Sequence, residues 1–291
     1  MTAWDAFAVR RITIGEIDIS VRVGGDGPPL VLLHGFPQHS LAFRRIAPAL
    51  TDRFTVIVPD QRGMGASTLP AGSFTKTDMA RDLAGVLDAL EIEQVHVAGY
   101  DLGAGVAVAF ARDFPNRVRR LAVMEFVAAG FGLEAAMAPK AGWNVDSNWH
   151  FSVFAAPDVA AWLFHGRERE VLSWFFGHES HRGVNAVPPE DFEAYVRSLS
   201  RPGALRAGAQ YYAAIFRDGE DNAPLRSRPL AMPVLAVGGE SHAGPMLKAL
   251  WSSVAADLST AVIPEAGHWL GEENPVATAA ALATFFLEDD K

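Results

Sequence analysis

The strongest constraint on the fold is a set of short apolar runs that have no polar face, such as L-V-L-L at 30–33 and V-L-A-V at 234–237. A strand of this kind must be covered on both sides, as in a parallel sheet sandwiched by helices. β-type runs recur at 8–14, 18–23, 30–33, 54–58, 95–98, 118–124, 234–237 and 260–263. Helix-period segments fall between several of them, at 41–50, 78–90, 102–112, 246–256 and 276–286. The first two runs touch with no helix between them and predict an antiparallel start. Thereafter strand and helix alternate, which predicts an α/β fold with a mostly parallel eight-stranded sheet. The length of 291 residues suits one such domain carrying an insertion.

The alternation stops between 124 and 232. That stretch is rich in aromatic residues and reads as short helices at 159–164, 167–178, 189–198 and 203–216. An insertion that leaves one strand end and returns to the sheet is expected to form a cap over the crevice. The expected division is a core of residues 1–127 and 229–291, with a helical cap of 128–228 inserted after the sixth strand. Pro/Gly/Ala-rich patches at 127–140 and 223–233 would join the two parts.

Composition narrows the function classes. Net charge is −9 and no Lys/Arg cluster stands out, so a nucleic-acid-binding face is not expected. There is no cysteine, which excludes disulfides, thiolate catalysis and Cys-based zinc sites. No run of about 18 apolar residues is present, so no membrane span is expected. The first residues lack the pattern of a secretory signal, and the expected location is the cytoplasm.

The chemistry starts at Gly99-Tyr100-Asp101-Leu102-Gly103, between the strand at 95–98 and the helix at 102–112. A nucleophile held between small residues on a strand-to-helix turn is a nucleophile elbow, usually built around serine. Gly99 and Gly103 fit because such a turn crowds any Cβ at those places. The positive end of the following helix favours a carboxylate there, and the plainer alternative is that Asp101 merely caps the helix. A serine needs a base to become nucleophilic, whereas an aspartate is ionised near pH 7. Carboxylate attack on carbon leaves an ester, so a histidine and an orienting acid must follow to hydrolyse it.

Pro264-Glu265-Ala266-Gly267-His268-Trp269 supplies the histidine, His268, after the last strand. The acid has two candidates. Glu240 lies in the loop after the penultimate strand, and Glu125 ends the strand at 118–124, at the carboxyl edge where α/β sheets place their sites. Glu125 is preferred, because an acid in the apolar context V-M-E-F-V asks for a partner, and His242 occupies the usual loop position. The oxyanion hole would use the backbone N–H groups of Leu102 and of Phe36, in His34-Gly35-Phe36-Pro37. His34 and the turn Asp60-Gln61-Arg62-Gly63-Met64-Gly65 read as structural. The expected cap also carries His150, Tyr211 and Tyr212. Trp143, Trp149, Phe151, Phe154, Trp174 and Phe175 would shape an apolar pocket or the cap core.

Four motifs in order, H-G-F-P, D-Q-R-G-M-G, G-Y-D-L-G and A-G-H-W, make the chain resemble the α/β-hydrolase fold. Aspartate in the elbow narrows the resemblance to epoxide hydrolases, haloalkane dehalogenases and haloacetate dehalogenases. Haloalkane dehalogenases hold halide with an asparagine after His-Gly and a tryptophan after the nucleophile, whereas this chain has Phe36 and Leu102. Haloacetate dehalogenases clamp a carboxylate with arginines just after the nucleophile, where this chain has Leu102 and Gly105. The segment N-W-H-F-S-V-F-A-A-P-D at 148–158 resembles the cap of Cif-like bacterial epoxide hydrolases, whose ring-opening pair falls on His150 and Tyr212. Tyr211 is then packing, because adjacent helical residues face different ways. The resemblance implies a cofactor-independent, metal-free epoxide hydrolase forming an aspartyl ester on a small-molecule epoxide. A dehalogenase sharing the same nucleophile is the alternative. Dimers are common in the resembled group, so a homodimer is the assembly to look for.

Overall fold

A computed structural model describes residues 2–141 and 145–290; Trp143 lies outside the described residues. The strands are β1 (Ala8–Ile14), β2 (Ile17–Gly24), β3 (Pro29–Leu33), β4 (Thr55–Pro59), β5 (Val95–Tyr100), β6 (Val118–Met124), β7 (Leu230–Gly239) and β8 (Ala255–Ile263). Among the described residues they form one eight-stranded sheet in the order β1-β2-β4-β3-β5-β6-β7-β8. β1 and β2 pair antiparallel, as do β2 and β4, and every later pairing is parallel. All of β5 is buried, which is why its sequence shows no alternation.

Helices α1 (Lys76–Ala89) and α2 (Leu102–Asp113) follow β4 and β5. Between β6 and β7 run α3 (Val145–Phe154), α4 (Pro157–Phe164), α5 (Glu168–His178), α6 (Pro189–Leu199), α7 (Ala204–Ala213) and α8 (Ile215–Asp221). The chain closes with α9 (Leu247–Trp251), α10 (Leu270–Glu273) and α11 (Pro275–Phe286).

Several elements differ from the sequence expectation. The segment at 41–50 is two 3₁₀ turns, Ser40–Phe43 and Ala47–Leu50, because Pro48 has no N–H to carry an α-helix through. The helix expected at 246–256 stops at Trp251, since Ala255 already pairs with Leu230 across β7 and β8. β8 starts five residues earlier than expected: it is a half-exposed edge strand whose Asp257 and Ser259 conceal it. β7 takes in residues 230–233 of the expected connection, with Pro233 at a register shift that tolerates its missing donor. The helix at 203–216 breaks at Ala214 into α7 and α8. α3 was not visible as a helix, because Trp149, Phe151, Val153 and Phe154 wrap around it without forming one stripe.

The helical segment is tied to the sheet layer by a buried ion pair. Lys76 Nζ on α1 lies 2.9 Å from Asp218 Oδ2 on α8, and both side chains are almost fully enclosed. Asp218 also accepts the Lys76 backbone N–H at 2.7 Å, and Lys76 Nζ donates to the Tyr211 carbonyl at 2.8 Å. Removing one partner strands a buried charge, whereas replacing both by apolar groups need not be costly. Asp218→Ala is therefore expected to lower unfolding stability by about 3–5 kcal/mol. The double variant Lys76→Met/Asp218→Leu should recover most of that loss, as read from denaturant midpoints.

Candidate active site

The sheet order places the site. Because β3, β5, β6, β7 and β8 are adjacent and parallel, the residues after their carboxyl ends line up in space. Phe36 follows β3, Asp101 follows β5, Glu125 follows β6, His242 follows β7 and His268 follows β8.

Asp101 sits at the turn between β5 and α2 with φ +51° and ψ −134°, a conformation that side-chain-bearing residues seldom adopt. Although it stands at the N-cap, its side chain makes no capping hydrogen bond. Its main chain is fixed instead by Asp101 N–H donating to Met124 O at 2.9 Å, and by Asp101 O accepting from Ala104 N–H at 2.8 Å. The flanking glycines have a steric reason. A Cβ at Gly103 would strike the backbone of Leu33 and His34, and one at Gly99 the backbone of Ala104.

The two carboxylate oxygens of Asp101 have different surroundings. Oδ1 accepts the Phe36 N–H at 2.9 Å, and the carboxylate is also hydrogen-bonded by the Leu102 N–H. Oδ2 faces His268 Nε2 at 3.8 Å. Burial lifts the Asp101 carboxyl to about 6, against the opposing pull of His268 and the two backbone donors.

Glu125 also has a positive φ, +52°, and its side chain is fully enclosed. Oε1 accepts the Gly239 N–H at 2.6 Å, while Oε2 accepts from His268 Nδ1 at 3.2 Å and from His242 Nδ1. Burial alone would raise this carboxyl, but the hydrogen bonds to His242 and His268 outweigh it and hold it at about 2. Burial would likewise lower His268. The hydrogen bond to Glu125, with the charges of Glu179 and Asp101, instead raises it to about 9. Glu240 is exposed and accepts the Glu265 N–H at 3.0 Å, away from His268.

These groups open onto a cavity of about 560 Å³ shared with the helical segment. His150 on α3 and Tyr212 on α7 line it, both buried, with ring centroids 5.7 Å apart and nearly perpendicular. Burial, then the charge of Asp101, pushes the Tyr212 phenol well above its ordinary value. Tyr211 points elsewhere and donates to the Arg62 carbonyl at 2.8 Å. Phe151 and Phe175 line the cavity too, while Phe154 is fully buried beneath. His34 braces the Phe36 loop, with its Nε2 accepting the Gln61 N–H at 3.0 Å. Asp60 holds the neighbouring turn through the N–H groups of Ser40 and Ala66.

The geometry thus brings together Asp101, Glu125, His268, His150, Tyr212, Phe36 and Leu102 around one cavity. Two further groups escape a reading of the sequence. His242 serves there only as an argument against Glu240, yet it shares the Glu125 oxygen with His268. Glu179, after α5, carries no motif and reaches the cavity only through the fold. Donor atoms of Glu125, His242 and His268 lie within 4.8 Å of one another, close enough to take a metal ion, but the same atoms are already joined by hydrogen bonds.

Residues 28–275 match the family model described as the alpha/beta hydrolase fold. The chain belongs to the α/β-hydrolase family. It is 34% identical to a soluble epoxide hydrolase of Corynebacterium sp. (strain C12) over 267 residues, covering 90% of this chain and 91% of the relative. It is 28% identical to a fluoroacetate dehalogenase of Burkholderia sp. over 296 residues, with 98% and 95% covered. The crystal structure of wild-type Cfl2 from Burkholderia cenocepacia superposes with a TM-score of 0.91 at 34% identity, with 96% of each chain covered. This hydrolase has, among its described residues, no helix long and apolar enough to cross a membrane.

The His268–Glu125 pairing can be tested in this family member directly. The His268 imidazole should hold its proton to about pH 9, and Glu125→Gln should move that midpoint down. Titration of the histidine ring signals by NMR reads both values.

Proposed function

We propose that this hydrolase opens an epoxide to a vicinal diol through an ester on Asp101. The observation that carries the reading is the unequal setting of the two Asp101 oxygens beneath His150 and Tyr212. Oδ2 is free to attack an epoxide carbon as that carbon's bond to oxygen breaks. The departing oxygen takes the Tyr212 hydroxyl proton, while His150 helps to hold it. A phenol kept protonated by burial is a competent donor, and its raised proton affinity favours its recharging after each turnover.

The product of that step is an Asp101 ester whose carbonyl oxygen is Oδ1, already accepting the Phe36 N–H, with the Leu102 N–H also acting on the same carboxyl group. Alkylation removes the charge of Asp101, one of the causes that raise His268, and so eases loss of the imidazolium proton. Neutral His268, oriented through Nδ1 by Glu125, then takes a proton from water as the water attacks the ester carbon. The two backbone donors meet the resulting oxyanion, where loss of one donor typically costs about 2.7–4 kcal/mol. Collapse expels the diol's alkoxide, which takes the proton that His268 drew from water, while the second water proton passes from Asp101 to the Tyr212 phenolate, restoring both. The segment from α3 to α8 acts in this scheme as the cap, because it supplies both ring-opening side chains.

The similarity to a soluble epoxide hydrolase supports the same reading. The dehalogenase alternative uses the same nucleophile, and a fluoroacetate dehalogenase is among the relatives. No Lys or Arg lines the described cavity, however, and Leu102 and Phe36 offer no side-chain donor to a halide.

His268→Ala incubated with styrene oxide is expected to gain the mass of one intact epoxide on the peptide containing Asp101, since attack survives and hydrolysis stalls. An unmodified peptide after prolonged incubation with reactive epoxides would contradict the scheme. Tyr212→Phe in that background should slow adduct formation by about 10²-fold, the low end of what a positioned general acid supplies. Adduct formation in that background should also decline as pH falls, with a midpoint above the value of about 6 of the intact site, because only ionised Asp101 attacks and the variant has lost the His268 charge that lowers it.

A further inference from the structure

Glu179 is the third carboxylate at the cavity, and the scheme above gives it no task. It caps the carboxyl end of α5, where its carbonyl accepts the His268 N–H at 2.8 Å. This contact holds the residue beside the base. Its side chain is half-buried and lines the cavity. No hydrogen bond or ion pair of its carboxylate is found among the described residues. Its charge bears on Asp101, Tyr212 and His268 together, which places it among the reacting groups.

A charge left without a partner in a partly desolvated site favours a ligand that supplies one. The rest of the wall shows what that ligand resembles. Phe126, Val127, Leu133, Ala136, Met246 and Leu250 make much of the lining apolar, and no Lys or Arg is present among the described lining residues. An apolar body can be buried there. A carboxylate on it would meet the charges of Asp101 and Glu179 with no Lys or Arg to receive it, the His268 imidazolium being already engaged by Glu125 and Asp101, whereas an ammonium or hydroxyl would meet an open acceptor.

We propose that Glu179 is a specificity-determining residue that receives a hydrogen-bond-donating, best of all cationic, substituent on an otherwise apolar epoxide, and that it turns carboxylate-bearing substrates away. This rests on the epoxide-opening reading. The charge of Glu179 thereby separates this site from one built to clamp an acetate.

The test uses a matched series of aryl glycidyl ethers whose ring carries a para aminomethyl, methyl or carboxylate group. The wild-type ratio of kcat/KM for the aminomethyl over the carboxylate member should exceed tenfold, and Glu179→Gln should bring it close to one. An equal ratio in wild type and variant overturns the assignment, as does a wild-type preference for the carboxylate. Competitive inhibition of the wild-type enzyme by the corresponding diols tests the same point without a variant. The aminomethyl diol should bind at least tenfold more tightly than the carboxylate diol, and equal inhibition constants overturn the proposal. Opening of the methyl member shows that the epoxide reading stands even where the Glu179 assignment falls. No turnover of any member, with no adduct on Asp101, overturns both.

Discussion

The site depends on one backbone constraint: the left-handed turn that carries Asp101 from β5 into α2. With φ +51° this residue is held where a side chain costs on the order of 1–3 kcal/mol, and the surroundings over-determine it. Its N–H goes to Met124 and its carbonyl to Ala104, while glycine at 99 and 103 lets neighbouring backbone close in. The turn points Oδ1 at the Phe36 N–H and leaves Oδ2 towards His268. Glu125 repeats the device one strand over, with φ +52° and its own N–H donated to Val237. Two adjacent strand ends thus aim acids into one crevice, one towards the cavity and one behind the histidine.

The electrostatics follow from how each acid is compensated. Glu125 has a backbone donor and two imidazoles, which outweigh its burial and keep it ionised down to about 2. Asp101 has two backbone donors but a single imidazole, His268 at 3.8 Å, and sits at about 6, ionised at neutral pH but not strongly held there. That difference suits a structural anion and a reactive one. His268 stands between them and is raised to about 9, so the resting site holds an imidazolium beside a carboxylate. Esterification of Asp101 would remove one of those charges and shift the balance towards the neutral base needed next.

Much of this was legible in the sequence, because the elements concerned are buried and short. The runs at 30–33 and 95–98, the glycine-bracketed Asp101 and the loop before His268 announce strand, elbow and base through composition alone. Glu125 could be chosen over Glu240 because an acid between apolar residues demands a partner, and the geometry supplies three. What the sequence concealed depends on tertiary context. β8 is a half-exposed edge strand, so its polar residues hide it. α3 mixes apolar and polar residues around its circumference and shows no stripe, although it carries His150. His242 and Glu179 lie in loops without a motif, and only the sheet order and the fold of the helical segment bring them to the site.

The central claim is that Asp101 Oδ2, and not water, forms the new bond to substrate carbon. A single turnover in ¹⁸O-water, with enzyme in excess over styrene oxide, tests it most directly. The account predicts that the first diol carries no label from water, because its new oxygen comes from Asp101, and that the Asp101 peptide gains one ¹⁸O. Label in the first-turnover diol, with none on that peptide, would mean that water attacks the epoxide and would contradict the account.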